Sequence, residues 1–427
     1  MNTQTPTLTY RVSEMAEALQ GSEIIKLAGE VKELIAQGKP IHNLTIGDFD
    51  PAVFPIPEAL LHCIKDAYDA GHTNYPAANG VEPLRRAIAE QVIAKMGMTY
   101  RADDILIAGG ARPLIYATFQ ALVDPGDYVV FPVPSWNNNH YTHLTHAKPI
   151  FVETSATNNF MPTVDDVRPY IQKARLVAVC SPLNPTGTVF SREQLLGICE
   201  LIVSENRRRG ADEKPVFLMF DQIYWQLTLS DVTHEHPINL CPEIAPYVVY
   251  IDGLSKAFAA TGVRVGWGFG PSHIISKMKS ILGHVGAWAP KAEQIACAEF
   301  LNQTEEVEKY LVWIKAEINA RLEGLYTGFN ALKNAGLPID VIPPQGAIYL
   351  TLNIDLTGKR TADGTVLNST EDTTRFLLNE AHLAVVPFYA FGASKDSTWY
   401  RLSVGTVEKK DIPAIVEAMK TALETLS

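Results

Sequence analysis

Residues 247–267 read YVVYIDGLSKAFAATGVRVGW, and this stretch decides the fold. It opens with five apolar residues, 247–251, which are typical of a strand covered on both faces of a sheet. Lys256 follows this run closely, and Arg264 comes eight positions later. A lysine amine at the mouth of a strand can form a Schiff base with an aldehyde, and a nearby arginine can bind a phosphate. Pyridoxal phosphate needs both groups, so the stretch predicts a site for it.

Four other apolar runs resemble the first one, and amphipathic segments separate them. These runs are 105–108, 128–131, 176–180 and 216–220. Ser191 and Gln194 have capping-box spacing ahead of an apolar helical pattern, which predicts a crossover helix between two strands. We therefore expect an α/β fold, with a three-layer large domain on a mostly parallel mixed sheet and a smaller α+β domain.

The length of 427 residues suits two domains. A long amphipathic stretch at about 307–332 indicates where the first of them ends. We expect an N-terminal arm and part of the small domain in residues 1–45. The large cofactor-binding domain then covers 46–305, and the small C-terminal domain covers 306–427.

Composition argues against several classes of protein. The formal net charge of −11 and the lack of a long basic run argue against nucleic acid as a partner. No stretch reaches the roughly 18 uninterrupted apolar residues that a membrane span needs. Residues 1–6 are polar and lack an apolar signal core. Five scattered cysteines without CxxC spacing indicate reduced thiols in a cytoplasmic protein.

Polar candidates follow the apolar runs, each at or shortly after the point where a run ends. They are Gly109-Gly110-Ala111, Trp136, Asn184, Asp221 and Lys256. In open α/β sheets, ligands bind outside the carboxyl ends of the strands. We therefore expect these five strand ends to face one crevice.

Each candidate also has a structural interpretation. Asp221 suits a carboxylate that keeps a pyridine nitrogen protonated, but it also suits a helix N-cap. Residues 109–111 lead into a helical pattern whose N-terminus can bind an anion, or they form an ordinary strand-to-helix turn. Trp136 and Tyr224 could be core residues, and Asn184 could lie in a proline-rich surface loop.

His140, His143 and His146 recur every three residues, which invites a metal interpretation. No acidic residue or cysteine shares the segment, so we expect no metal site there.

Taken together, the motifs resemble those of the fold-type I, pyridoxal-phosphate-dependent aminotransferases of class I/II, the aspartate aminotransferase superfamily. The resemblance runs from Ile46-Gly47-Asp48 to Arg401-Leu402-Ser403, nearly the whole chain. Its strength lies in the order and spacing of the motifs. These are Tyr75, Gly109-Gly110-Ala111, Trp136, Asn184-Pro185-Thr186-Gly187, Asp221-Gln222-Ile223-Tyr224, Ser255-Lys256, Arg264 and Arg401.

The resemblance implies a role for each matching residue. Lys256 matches the Schiff-base lysine and proton shuttle, Asp221 the partner of the ring nitrogen, and Trp136 the ring-stacking residue. Tyr224 and Asn184 match the pair that contacts O3′ of the cofactor. The residues that match the phosphate site are Gly110, Ala111, Ser255 and Arg264, and the adjacent Arg112 is grouped with the cofactor-binding residues. The substrate site is assigned to Gly47, Asn184 and Arg401, and the guanidinium of Arg401 would hold the α-carboxylate. Tyr75 resembles a tyrosine that reaches the phosphate of the other subunit, which implies a homodimer with a shared active site.

Three departures bear on the substrate. Ala111 stands where some dicarboxylate-specific members have a lysine that grips the distal acid, and Arg112 beside it could substitute. Ser181 replaces the asparagine that usually opens the turn before Asn184. His284 and Trp288 lie where relatives reach across the dimer, and they would suit an apolar or aromatic substrate side chain.

The reaction implied is ping-pong transfer of an amino group from an L-amino acid to a 2-oxo acid. In it, Lys256 removes and returns protons, while Asp221 and Tyr224 act on the cofactor. Two alternatives remain open: a pyridoxal-phosphate-dependent β-lyase that cleaves C–S bonds, and a non-catalytic regulatory protein with the same fold.

Overall fold

The computed structural model describes residues 11–19, 21, 23–229 and 231–427, so the polar segment 1–6 lies outside the described residues. The strands are β1 (His42–Asn43), β2 (Ile105–Ala108), β3 (Tyr128–Val133), β4 (Lys148–Glu153), β5 (Ala174–Cys180), β6 (Phe217–Asp221), β7 (Val248–Gly253), β8 (Gly266–Phe269), β9 (Asp340–Val341), β10 (Tyr349–Asn353), β11 (Leu383–Ala384), β12 (Val386–Pro387) and β13 (Trp399–Ser403).

The α-helices alternate with these strands along much of the chain. They are α1 (Glu14–Ala18), α2 (Glu23–Ala36), α3 (Glu58–Asp69), α4 (Glu82–Ala87), α5 (Ala111–Leu122), α6 (Asn138–Leu144), α7 (Val164–Val167), α8 (Arg192–Arg209), α9 (Pro237–Leu240), α10 (Leu254–Ala257), α11 (Ser272–Val285), α12 (Lys291–Asn302), α13 (Thr304–Asn334), α14 (Thr370–Asn379) and α15 (Ile412–Glu424).

The large sheet of the described residues has seven strands in the order β2-β8-β7-β6-β5-β3-β4. Neighbouring strands run parallel except at β8, which is antiparallel to both β2 and β7. The mostly parallel mixed sheet expected from the continuous apolar runs is therefore confirmed.

Helices cover both faces of this sheet, because successive side chains of a strand point to opposite faces. On β5, Leu176 and Ala178 join the core formed with α5 and α11. Val177 and Val179 join the opposite core, formed with α3, α4, α8 and α12. The three-layer arrangement follows from central strands such as β5, in which residues 176–180 are apolar in succession.

The predicted crossover helix is α8, and it begins with a capping box. The Ser191 hydroxyl accepts a hydrogen bond from the Gln194 backbone N–H (3.2 Å), and the Gln194 side-chain oxygen accepts one from the Ser191 N–H (3.0 Å). Both N–H groups lie at the start of the helix, where backbone N–H groups find no acceptor within the helix itself.

We expect Ser191→Ala to lower the free energy of unfolding by about 1 kcal/mol, since the helix loses the cap acceptor. Urea denaturation followed by circular dichroism measures this. Ser204→Ala in the same helix is the matched control, because Ser204 is exposed and lies well inside α8. A control that loses as much stability as Ser191→Ala would contradict the capping argument.

A second core lies beside the large sheet. It contains an antiparallel sheet of order β12-β13-β10-β9 together with α14 and α15. The long helix α13 joins the two cores, since Val307 packs in the first and Ile314 to Leu332 pack in the second. The parallel pair β1-β11 ties residues 42–43 to the C-terminal part. The boundaries at 45/46 and 305/306 stay predictions.

Across the described ranges, no helix combines the length and apolar character required to cross a membrane. Free thiols are found at Cys63, Cys180, Cys199, Cys241 and Cys297.

Candidate active site

A cavity of about 530 Å³ lies at the carboxyl ends of the parallel strands. Its volume falls in the range of about 300–1,000 Å³ that is usual for small-molecule sites. Of the residues that the sequence put forward, those lining it are Gly47, Ala111, Arg112, Trp136, Asn184, Asp221, Tyr224, Ser255, Lys256, Arg264 and Arg401. The expected crevice thus exists, and it also draws residues from the second core.

Lys256 reaches the cavity from α10, the short helix that directly follows β7. Its Nζ donates a hydrogen bond to the Gly47 carbonyl (2.8 Å), and no carboxylate pairs with it among the described residues. Burial lowers the pKa of this amine to about 8, while the nearby Asp48 carboxylate opposes that change. An uncharged amine is a nucleophile and a base, so Lys256 is prepared for either task near neutral pH.

Asp221 ends β6 and faces the same cavity. One carboxylate oxygen accepts the backbone N–H of Ile223 (3.1 Å). No lysine or arginine forms an ion pair with it in the described part of the chain, and burial raises its pKa to about 6. A buried carboxylate without a cation is ready to pair with a protonated ring nitrogen.

Arg264 and the N-terminus of α5 form a cradle for an anion. Arg264 donates to the carbonyls of Thr261 (2.7 Å) and Gly109 (2.8 Å), and not to a carboxylate. Gly110, the N-cap of α5, has φ of 98°, and a Cβ there would overlap the Arg264 guanidinium. The positive φ favours glycine at this position, and a larger residue would also displace the guanidinium. The bare helix end and the guanidinium together fit a phosphate.

Arg401, on β13, enters from the second core and is 1 % exposed. It donates to the Asn184 side-chain oxygen (3.0 Å) and to the Thr45 carbonyl, and its guanidinium lies 4.8 Å from each ring centre of Tyr349 and Phe391. Its Nε has no partner in the described residues. A buried guanidinium without a counter-ion fits a carboxylate ligand.

Tyr349 is a cavity residue that the sequence analysis missed. Its hydroxyl lies 2.6 Å from the hydroxyl of Tyr224. It comes from β10, in the second core, 125 positions beyond Tyr224, and no local pattern connects the two. Asp48 was also missed, although its neighbour Gly47 was named; its signal is a carboxylate next to a proposed substrate contact.

Trp136 and Arg112 lie side by side in the cavity wall. The Arg112 guanidinium stands 5.4 Å from the Trp136 ring centre, a cation–π distance. No ion pair or hydrogen bond to the Arg112 side chain occurs among the described residues.

Tyr75 is not in this group. Its side chain is 82 % exposed and its ring packs edge-on against Trp288, 5.3 Å between centres. Neither Trp288 nor His284 lines the cavity of its own chain. Tyr75 and His284 are exposed and Trp288 is partly buried, all of them outside the cavity of this chain.

The histidine triplet forms no cluster of metal ligands. His143 Nε2 donates to the Met15 carbonyl (2.8 Å). In the described residues, no three His, Cys, Asp or Glu side chains are placed to hold a metal ion.

Comparison with known proteins relates this site to one family. Residues 39–419 match the family model for aminotransferase class I and II. An aspartate aminotransferase of Rhizobium meliloti (strain 1021) is 28 % identical over 409 residues, 95 % of this chain and 94 % of that protein. The bifunctional aspartate aminotransferase and glutamate/aspartate-prephenate aminotransferase of Petunia hybrida is 29 % identical over 421 residues, 97 % of this chain and 83 % of that protein.

The fold agrees with these matches. The crystal structure of the aspartate aminotransferase from Rhizobium meliloti superposes with a TM-score of 0.89 at 27 % identity, covering 98 % of this chain and 100 % of that one. The family match spans most of the sequence, and the structural match spans nearly all of it. The chain belongs to the class I and II aminotransferases and is a transaminase.

Proposed function

We propose that the cavity binds pyridoxal phosphate and transfers an amino group from an acidic L-amino acid to a 2-oxo acid in two half-reactions. Class I and II aminotransferases use this cofactor. The observation that carries the proposal is that a half-buried amine (Lys256), a half-buried carboxylate without a cation (Asp221) and the guanidinium of Arg264, which lies against Gly110, meet at one cavity.

The residues fit the cofactor group by group. Arg264, the Gly110 and Ala111 amides and the Ser255 hydroxyl would hold its phosphate, and Asp221 would hold the proton on its ring nitrogen. Trp136 offers a flat face for the ring. When bound, pyridoxal phosphate supplies an aldehyde that condenses with amines and a ring that stores an electron pair.

Lys256 has a second task, which is to move a proton. Its amine, with a pKa near 8, removes the proton from the α-carbon of the amino acid and later returns one. Tyr224 and Asn184 would hold the ring oxygen of the cofactor, and the 2.6 Å contact with Tyr349 orients the Tyr224 hydroxyl. The Asn184 side-chain oxygen also accepts a hydrogen bond from Arg401 and so orients it.

The donor is recognised at two ends. Arg401 binds the α-carboxylate in a bidentate fork, next to Gly47. Of the four cationic residues among the described cavity residues, three have roles in this proposal: Arg264 binds the phosphate, Lys256 the aldehyde and Arg401 the α-carboxylate. The fourth is Arg112. We assign it to the side-chain carboxylate of the donor, and the names of the relatives from Rhizobium meliloti and Petunia hybrida support this class.

The active form is a homodimer in this proposal. Tyr75 is exposed and packed against Trp288, so it can extend to the phosphate in the partner subunit. An alternative elimination reaction is not favoured, since the relatives named above are aminotransferases.

The test is a half-reaction panel. The purified protein is saturated with pyridoxal phosphate, mixed with each amino acid in turn, and followed by absorbance of the bound cofactor and by oxo-acid release. We expect aspartate and glutamate to react with kcat/KM at least about tenfold above alanine and phenylalanine, which is the value of one extra ion pair.

Arg112→Gln separates the two parts of the proposal. This variant should lose most of the preference for acidic donors and keep its rate with alanine. An unchanged preference would remove Arg112 from donor recognition. Pyruvate and ammonia released from cystathionine without an oxo-acid acceptor would instead show elimination.

A further inference from the structure

The turn that follows Asp221 separates two cavities. Tyr224 faces the active-site cavity, whereas the next residue, Trp225, lines a second cavity of about 610 Å³ on the other side. Backbone hydrogen bonds hold the turn, from Gln222 N–H to the Ile251 carbonyl (2.9 Å), from Trp225 N–H to the Gln222 carbonyl (2.9 Å) and from Leu227 N–H to the Tyr224 carbonyl (2.8 Å). None of them involves the Trp225 ring.

Space beside Trp225 means that packing alone does not hold the ring. The Trp225 ring lies 5.7 Å from the His236 ring and 6.5 Å from the His234 ring, and the rest of its cavity side borders open space that gives it no packing contact. Trp225 and Tyr224 are neighbours in one turn, so a side-chain bond that anchors the indole also restrains the segment that carries the Tyr224 hydroxyl, which lies 2.6 Å from that of Tyr349.

Asp252 is the residue that holds the Trp225 ring. It lies in β7, next to the β6 strand that carries Asp221, and it is 1 % exposed. One carboxylate oxygen accepts the Trp225 Nε1–H (2.9 Å) and the other accepts the Gly253 N–H (2.7 Å). Both oxygens are therefore engaged as acceptors.

Burying the Asp252 carboxyl costs free energy of folding unless its hydrogen bonds compensate. No lysine or arginine pairs with this carboxylate in the described ranges, and burial raises its pKa to about 7. The hydrogen bonds from Gly253 and Trp225 oppose that rise. A buried, unpaired carboxyl destabilises a fold unless hydrogen bonds compensate for lost hydration.

We propose that Asp252 is a positioning residue for the aminotransferase reaction, and that it acts by holding the Trp225 indole so that Tyr224 and the turn after Asp221 keep their places. This inference rests on the proposed function of Asp221 and Tyr224. It does not place Asp252 in contact with substrate or cofactor.

The test uses the holoenzyme with Asp252→Asn, Trp225→Phe and the double variant. Asparagine keeps the size of the Asp252 side chain, but only one of its two terminal atoms can accept a hydrogen bond. Phenylalanine keeps an aromatic ring at position 225 but lacks the indole N–H. Each single variant should lower kcat of the half-reaction about tenfold to a hundredfold, the cost of a small misplacement at the reacting groups. KM for the donor should change less than about twofold.

The double variant should be no slower than the slower single variant, because both changes break the same hydrogen bond. Trp313→Phe is the matched control, since its indole donates no hydrogen bond within the described residues, and it should keep full kcat. Effects that multiply in the double variant, or a full kcat in Trp225→Phe, would overturn the proposal.

A measurement that does not depend on catalysis distinguishes a failure of this inference from a failure of the proposed function. The indole N–H resonance of Trp225 is assigned in a ¹⁵N-labelled sample by its loss in Trp225→Phe. It should move upfield in Asp252→Asn, as expected when a carboxylate acceptor is lost. If the wild-type protein shows no amino transfer, the proposed function fails, whereas an unmoved resonance in an active protein refutes the hold of Asp252 on the Trp225 indole and with it this inference alone.

Discussion

Lys256→Ala is expected to lower the rate of the half-reaction by about 10⁴-fold or more, because the variant loses both the amine that holds the cofactor and the base that moves the α-proton. The fold should survive, since the lysine makes one hydrogen bond, to the Gly47 carbonyl. Stopped-flow absorbance with an acidic donor measures the rate, and the thermal midpoint checks folding.

Two controls sharpen this result. Lys277→Ala removes an exposed lysine from α11 and should leave the rate unchanged. Lys256→Arg keeps a positive charge but no readily available uncharged amine, so it should be nearly as slow as the alanine variant. A Lys256→Ala enzyme within tenfold of wild type would end the assignment of this residue.

Asp221→Asn is expected to reduce kcat by about 10²- to 10³-fold, which is the scale for removing one electrostatic partner of a developing charge. An amide cannot stabilise a proton on the ring nitrogen as a carboxylate does. The donor KM should change little, since the proposed function gives the contacts with the donor to Arg401 and Arg112 and not to Asp221. Asp212→Asn is the control for the same chemical change at an exposed position.

The same substitution should have the opposite effect on the stability of the cofactor-free protein. The pKa of Asp221 is raised from an ordinary value of 3.8 to about 6, so the folded state holds its proton longer than the unfolded state does. Stability therefore falls as the pH rises from about 4 through 6 and then stays level. At ~1.4 kcal/mol per pKa unit, the cost is about 3 kcal/mol at most.

Urea denaturation at two pH values tests this. Asp221→Asn should be more stable than the cofactor-free wild type at pH 8, and the difference should shrink towards pH 4. A variant that is less stable than wild type at pH 8 would show that the carboxylate supports the fold rather than a bound cation.

Part of the candidate site could be predicted from local patterns. Asp221 and Lys256 follow apolar runs, and the carboxyl ends of neighbouring parallel strands meet at one edge of a sheet. That rule alone placed both residues in the cavity, together with Asn184 and Trp136. Gly110 was recognisable because a small residue ahead of a helical pattern leaves the helix N-terminus open.

The contacts between these residues could not be predicted from local sequence patterns. Arg401 meets Asn184 across 217 positions, Tyr349 meets Tyr224 across 125, and Trp225 meets Asp252 across 27. The two members of each pair lie in different segments of the chain, and no periodicity links them. The assignment of His284 and Trp288 likewise depends on a partner chain.

The sequence by itself determined the layered α/β fold and the chemical groups at the strand ends, because alternation, apolar runs and helix caps are properties of neighbouring residues. The tertiary structure decided which of those groups are unpaired, how far burial moves their pKa values, and which side chains hold them. These properties depend on the distance between residues far apart in the chain, and only the packing of the two cores sets that distance.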